Sequence, residues 1–325
     1  NKDLARRVAQ RGKDFPVSDY IDSKGVTSTR RQLLRDFVQG FHAAYPERLS
    51  AKALAPEDAL LDKQFRIVNG GDALMKWLRD GLDPDRVELK LSTVVEEIQW
   101  KTGDVRVGGV RARAAIVTLP AAVLKTGAVK FEPQIRAKQR ALALIETGQV
   151  FKIVLRFRRA FWEEPDFLKE RRAPPSREQN GKSVNFLHAP GAEIPTWWTA
   201  QPVRGPVLTG WVGGPKAETL LSQEPGARLE RSLVALSDIL AIPRRELDDN
   251  LDASASHDWR ADPFARGAYS YIGVGGTGAP RTLARPVEGT LFFAGEATTP
   301  VKIGTVAGAL GSGRRAAREA LRSLK

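Results

Sequence analysis

The sequence predicts an α+β protein of two domains, in which α/β segments flank a more antiparallel middle. Three observations carry that expectation. The chain has 325 residues and 42% hydrophobic composition, enough to bury a sizeable core and to divide into two domains. Strand, glycine turn and helix follow one another twice, near residues 65–78 and near 289–313. Between them lie several short β-rich runs and one long helical pattern, as expected of an antiparallel sheet with helices.

The elements can be justified in chain order. Leu33, Leu34, Phe37, Val38, Phe41 and Tyr45 recur at helical spacing over residues 29–45, giving one apolar stripe that Pro46 ends. Residues 65–68 read as a short strand, Asn69-Gly70-Gly71 as a tight turn, and Asp72 as the N-cap of a helix through Leu78. The β-branched runs at 93–95 and 115–117 flank a polar hairpin containing Gly103 and Gly108-Gly109, and Pro120 closes the last strand. A helix over about residues 133–144 leads into the apolar strand 150–155. Proline- and charge-rich loops at 163–182, strands at 183–187 and 207–212, and a helix at about 226–240 follow. Residues 289–296 form a buried strand running into a turn, and a glycine-studded helix starts at Gly304. No internal repeat is evident.

Composition narrows the chemistry. The formal charge of +13, from 51 Lys and Arg against 38 Asp and Glu, would attract polyanions such as nucleic acid or a dinucleotide. The basic residues are scattered, and short groups such as Arg171-Arg172 and Arg314-Arg315 fit a solvated surface better than a nucleic-acid-binding tail. The absence of cysteine excludes disulfides, thiolate metal sites, a cysteine nucleophile and a cysteinyl cofactor link, so redox chemistry would need a bound cofactor. His42, His188 and His257 are far apart in sequence, and no metal site is expected. No apolar run reaches bilayer length, and the chain reads as soluble and cytoplasmic, without a membrane partner. The start, Asn1-Lys2-Asp3-Leu4, has neither initiator methionine nor signal-peptide pattern and is expected to be a cut or boundary.

The turn Gly295-Glu296 and the helix opening at Gly304, with Gly308, Gly311 and Gly313, attract attention for chemical reasons. Small residues let a ligand or a strand approach the helix backbone, and the first amides and the helix dipole could face an electron-rich group such as a flavin pyrimidine. Close helix–sheet packing in any α/β protein explains the same glycines about equally well. Lys152 alternates with Phe151, Ile153 and Val154, so its ammonium points to water or is desolvated beside a partner; pattern alone favours water.

Residues 291–298, Leu-Phe-Phe-Ala-Gly-Glu-Ala-Thr, followed by Gly304-Thr305-Val306-Ala307-Gly308-Ala309, resemble the C-terminal flavin motif of the flavin-containing monoamine oxidase family. Further matches occur in the family's order: Gly70-Gly71, Val95 to Ile98, Thr118-Leu119-Pro120, Lys152 followed by Phe161-Trp162, and Trp259 with Gly267-Ala268-Tyr269-Ser270-Tyr271. The resemblance implies two interleaved domains. Residues 65–145 and 266–325 would belong to the FAD-binding domain, and 1–64 and 146–265 to the substrate domain.

It also implies roles. Glu296 would lie by the ribityl chain, with Gly295 beside it, and the backbone at Thr305 and Val306 would meet the pyrimidine. The backbone of Val95 would hydrogen-bond adenine, a role compatible with a sheet-core valine. Lys152 would hold a water beside flavin N5 and assist reoxidation by O2. Tyr269 would be one wall of an aromatic cage guiding the amine. Thr305 stands where monoamine oxidases carry a second tyrosine, which weakens the expectation of simple aryl amines. Trp197, Trp198 or Trp211 could supply another aromatic surface, or each could be sheet core. Ala268 replaces the cysteine of covalently flavinylated members, so FAD would be held noncovalently.

A Gly-x-Gly-x-x-Gly unit between strand and helix is missing; Gly273 to Gly278 resembles one superficially and is expected to be a loop without the required following helix. Three explanations follow: a separate chain or fragment supplying the N-terminal FAD-binding part, truncation, or a flavin-free remnant that serves as a binding or assembly subunit. The expected activity is oxidation of an amine, with hydride passing to flavin N5 and O2 as acceptor. A nucleic-acid-binding module is the least favoured reading.

Overall fold

A computed structural model describes residues 2–54, 67, 69–164, 167 and 185–325. The first long helix is Ser28–His42; the Thr27 side chain accepts from the Arg30 amide at 3.4 Å, and Ala43 leaves in the left-handed conformation, so the helix stops before Tyr45. Its apolar stripe is not core as a whole. Val38 is buried, whereas Leu33, Phe37 and Phe41 remain 40–49% exposed, and the rings of Phe37 and Phe41 stack at 5.3 Å.

Thirteen strands can be followed among the described residues: β1 (Glu97–Lys101), β2 (Asp104–Val107), β3 (Val110–Ala112), β4 (Ala115–Val117), β5 (Lys130–Glu132), β6 (Ile145–Thr147), β7 (Val150–Phe157), β8 (Phe186–His188), β9 (Thr196–Thr199), β10 (Val207–Gly213), β11 (Leu251–Ser256), β12 (Ser270–Ile272) and β13 (Leu291–Phe293). The glycine hairpin forms β1–β2–β3, and β5 joins β1 in parallel, giving the order β3-β2-β1-β5. The sheet in the middle of the chain has the order β11-β7-β10-β9-β8, antiparallel throughout. Two pairs complete the set, β12 with β6 antiparallel and β13 with β4 parallel.

Strand alternation decides what each face of the five-stranded sheet does. On β7, Phe151, Ile153, Leu155 and Phe157 are buried, while Lys152 and Arg156 are exposed. The buried set joins Trp197, Leu208 and Val212 in a core closed by the helices Pro215–Leu221, Pro225–Leu240 and Arg244–Asn250. A separate core joins Ile98, Val105, Val117, Leu291 and Phe293 around the parallel pair.

Several expectations need correction. Residues 93–95 are not a strand; β1 begins only at Glu97, and Ser92, just before the run, has φ +52°. Asp72 is not the N-cap: Gly70, at φ +78°, occupies that position, and Asp72 falls in the first turn of the helix Gly71–Asp80, where its charge still complements the dipole. The predicted strand 65–68 lies outside the described residues except for Ile67, and only Phe186–His188 can be described of the strand placed at 183–187. Finally, the glycine loop 273–278 is followed by a helix, Ala279–Ala284, contrary to expectation. That helix has only six residues, and an added Cβ on Gly276 would lie 2.6 Å from the Leu144 carbonyl, so this glycine permits chain packing.

Candidate active site

Parallel strands direct their carboxyl ends the same way, and in open α/β units ligands collect there. The ends of β4 and β13 open on a cleft of about 250 Å³. Thr118, Leu119 and Pro120 line it after β4; Ala294, Gly295, Glu296 and Thr298 line it after β13; and Ala268, Leu283 and Ala309 complete the wall.

Two motifs meet at this cleft through one carboxylate. Glu296 accepts from the Ser270 hydroxyl at 2.7 Å and from the Gly304 amide at 2.7 Å. Gly295 has φ +133°, a backbone region that excludes most side chains, and its amide donates to Ser312 Oγ at 2.8 Å. Beyond Gly304, Thr305 caps the helix Val306–Ser323 by accepting from the Gly308 amide at 3.0 Å. The amides of the first turn have no intrahelical partner, and Val306 is 65% exposed, so this turn can present N–H groups to a ligand. Gly308 is required on space alone: an added Cβ would lie 2.2 Å from the Lys302 carbonyl.

Tyr269 borders this turn, since an added Cβ on Gly304 would lie 3.2 Å from its ring. Its hydroxyl donates to the Phe41 carbonyl at 2.7 Å, and burial raises its pKa far above the ordinary phenol value. The neighbouring carbonyl, Gly40, accepts from Trp211 Nε1 at 2.7 Å. Trp211 in turn is the cross-strand partner of Lys152. One helix end therefore connects the tyrosine beside the Gly304 turn with the tryptophan beside Lys152. Lys152 itself makes no hydrogen bond or ion pair with the described residues, and its side chain is on the exposed face of β7.

The sequence-predicted residues thus divide. Gly295 and Glu296 line the cleft; Tyr269, Thr305 and Val306 surround the adjoining turn; Lys152 stands on the sheet, linked to them through Trp211 and the helix end. Val95 is half-buried among the apolar residues packed around Val117 and Phe293 and does not line the cleft. Of the three tryptophans, Trp197 is fully buried in the core, whereas Trp198 and Trp211 are half-buried on the face that carries Lys152.

Sequence reasoning missed Ser270, which the motif contained but whose hydrogen bond to Glu296 depends on β12 reaching the end of β13. It also missed Thr147 and Gln149, whose buried Thr147 Oγ1 and Gln149 Oε1 have no hydrogen-bond partner among the described residues. Both lie against Gly267, next to Ala268 in the cleft wall. An open cleft at two strand ends and a capped helix N-terminus fit a bound heterocycle with donors and acceptors at its edge. A flavin meets those requirements, with Gly295, Glu296, Thr305 and Val306 as the residues that would hold it. Among the described residues no group of three or more His, Asp or Glu side chains could hold a metal ion, and no helix is long and apolar enough to cross a membrane.

This architecture is that of flavin amine oxidases. Residues 10–321 match the family model described as flavin containing amine oxidoreductase, and the chain belongs to that family. It is 29% identical over 296 residues to polyamine oxidase 2 of Arabidopsis thaliana, covering 87% of this chain and 54% of that protein. It is 28% identical over 259 residues to lysine-specific histone demethylase 2 of Homo sapiens, covering 76% of this chain and 29% of that protein. The chain therefore spans about half or less of these two relatives. The solved structure of cyclohexylamine oxidase from Brevibacterium oxydans IH-35A superposes with a TM-score of 0.76 at 19% identity, over 96% of this chain and 68% of that one.

Proposed function

We propose that this chain forms the flavin-ring and substrate side of an FAD-dependent amine oxidase. The observation that carries the reading is the Glu296 carboxylate, which ties the end of β13 to both Ser270 and the Gly304 turn and so brings the cleft, the helix N-terminus and Tyr269 together. In this reading residues 65–145 and 266–325 belong to the FAD-binding domain, and residues 1–64 and 146–265 to the substrate domain. FAD supplies, when bound, the acceptor for hydride from the amine-bearing carbon, with O2 as the final oxidant.

The protein's own residues bind, orient and manage protons. The Thr305–Val306 turn and the Gly295–Glu296 turn hold the cofactor's ring and its polyol chain without a covalent bond, since Ala268 offers no nucleophile. Tyr269 keeps its hydroxyl proton, donating it in a hydrogen bond to the Phe41 carbonyl, and presents a neutral ring to the amine. The Lys152 ammonium, unpaired among the described residues, disfavours a second positive charge nearby and so favours the amine nitrogen in its unprotonated, reactive form. It can also orient a water.

Anaerobic mixing of the full-length flavin-loaded protein with a panel of amines tests the proposal. Loss of the oxidised flavin absorbance with at least one amine is the expected result. Unchanged absorbance with every amine, or protein that stays colourless after coexpression and FAD supplementation, would favour a flavin-free binding or assembly subunit instead.

A further inference from the structure

The face of the five-stranded sheet that carries Lys152, covered by the helix Ser28–His42 at Gly213, bears an aromatic ladder. Phe186, Trp198 and Trp211 come from β8, β9 and β10; ring centroids lie 6.0 Å apart for the first pair and 6.1 Å for the second, tilted by 37° and 49°. Trp211 cannot swing freely, because its indole N–H is held by the Gly40 carbonyl. The ladder ends beside Lys152, the cross-strand neighbour of Trp211.

The charges on this face are as informative as the rings. Strands β7 to β10 contain no Asp or Glu at all. Arg156 is matched by Asp252 of β11 at 2.6 Å, which leaves the Lys152 ammonium uncompensated. Glu218 and Glu193, on the segments flanking the sheet, are already engaged by Tyr45 at 2.6 Å and by Arg231. A substrate with several positive charges would meet stacked rings and a like charge, with no carboxylate from these four strands to receive its distal ammonium groups.

We infer that Trp198, Trp211 and Phe186 set specificity for an amine with one basic nitrogen and a flat, largely apolar body, and select against linear polyamines. This rests on the amine-oxidase reading above and goes beyond it. The amine nitrogen would lie toward Lys152 and Tyr269, while the apolar body stacks along Trp211 and Trp198. Trp198, half-buried and without a hydrogen bond of its own indole N–H to the described residues, is the residue free to contribute a ring face.

The test compares tryptamine with spermidine at equal ionic strength, by calorimetric titration of the full-length protein and by anaerobic flavin bleaching. Tryptamine is expected to bind at least about tenfold more tightly than spermidine, and Trp198→Ala to weaken tryptamine by about fivefold or more while leaving spermidine unchanged. Trp198→Phe, which keeps a ring, should restore most of the loss, and circular dichroism checks that both variants fold. Spermidine binding as tightly as tryptamine, tryptamine binding unmoved by Trp198→Ala, or no binding of either amine overturns the inference. The two readings fail separately. Bleaching by spermidine alone sinks the specificity but keeps amine oxidation; tight, Trp198-dependent tryptamine binding without bleaching by any amine keeps the ladder and sinks the oxidation.

Discussion

The end of the β4–β13 pair and the Lys152 face of the β7–β10 sheet both touch the end of the helix Ser28–His42, through Tyr269 and Trp211, but are built by different physics. At the strand ends, positions are set by directional hydrogen bonds and by glycines: Glu296 uses both oxygens, Gly295 adopts a backbone closed to most residues, and Gly308 lets a helix touch a carbonyl. On the sheet, Lys152, Trp198 and Trp211 stand on a packed floor of Phe151, Ile153 and Trp197, which fixes the strands. The first region should therefore be sensitive to small polar or methyl changes, and the second to lost volume beneath it.

Adjacent tryptophans give the largest contrast. Trp197 is fully buried, its ring packs over Gly210, and its indole donates to the Ile194 carbonyl at 3.0 Å. Trp197→Ala should cost about 3–5 kcal/mol of stability, whereas Trp198→Ala, on the other face, should stay within about 1 kcal/mol. Urea denaturation of both variants measures the difference, and equal losses would break the assignment of the two faces.

Gly308→Ala and Glu296→Gln probe the strand-end region. The new methyl would lie 2.2 Å from the Lys302 carbonyl and 2.9 Å from Thr299 Oγ1, a collision expected to cost about 1–3 kcal/mol. An amide at position 296 can accept from the Gly304 amide and donate to the Ser270 hydroxyl, so it loses only the charge-assisted part of the two bonds and should cost about 1 kcal/mol or less. Thermal unfolding reports both; a Glu296→Gln loss as large as that of Gly308→Ala would mean that the charge, rather than the two hydrogen bonds, fastens the motifs.

The remaining contrast is pH-dependent and concerns Lys138, which holds the segment whose Leu283 lines the cleft. Its ammonium donates to the carbonyls of Thr282 at 2.9 Å and Leu283 at 2.7 Å and to that of Arg285, and lies 4.3 Å from the centre of the Phe293 ring. Burial and the nearby Arg315 and Arg285 lower its pKa to about 8. An unfolded lysine titrates near about 10.4, so between these values the unfolded chain binds the extra proton and stability should rise with pH. Denaturation midpoints at pH 7.5, 8.5 and 9.5, taken against Lys138→Met, isolate this contribution; the variant should lack that part of the rise.

Much of this was legible in the sequence, and the reasons differ by element. The strand Val150–Phe157 and the helix Pro225–Leu240 show through because burial imposes periodicity on their residues. The strand-end motif shows through because Gly295, Gly304 and Gly308 each answer a local backbone or packing demand, which Gly311 and Gly313 do not. The helix Ser28–His42 misleads, since an apolar stripe reads the same whether it is buried or half exposed, as at Leu33, Phe37 and Phe41. The β-branched run at 93–95 fails as a strand for a similar reason: propensity needs a pairing partner. The Glu296–Ser270 contact, the Lys138 clamp and the choice among the three tryptophans depend on chain segments distant in sequence, and no local pattern encodes them.

The most direct test of the central account is an experimental structure of the full-length protein with FAD. The ring system is expected against the Thr305–Val306 turn, the polyol chain beside Gly295 and Glu296, and the ring's reactive edge toward Lys152 and Tyr269. A dinucleotide seated away from Glu296, or a ring on the far side of the sheet from Lys152, would contradict it.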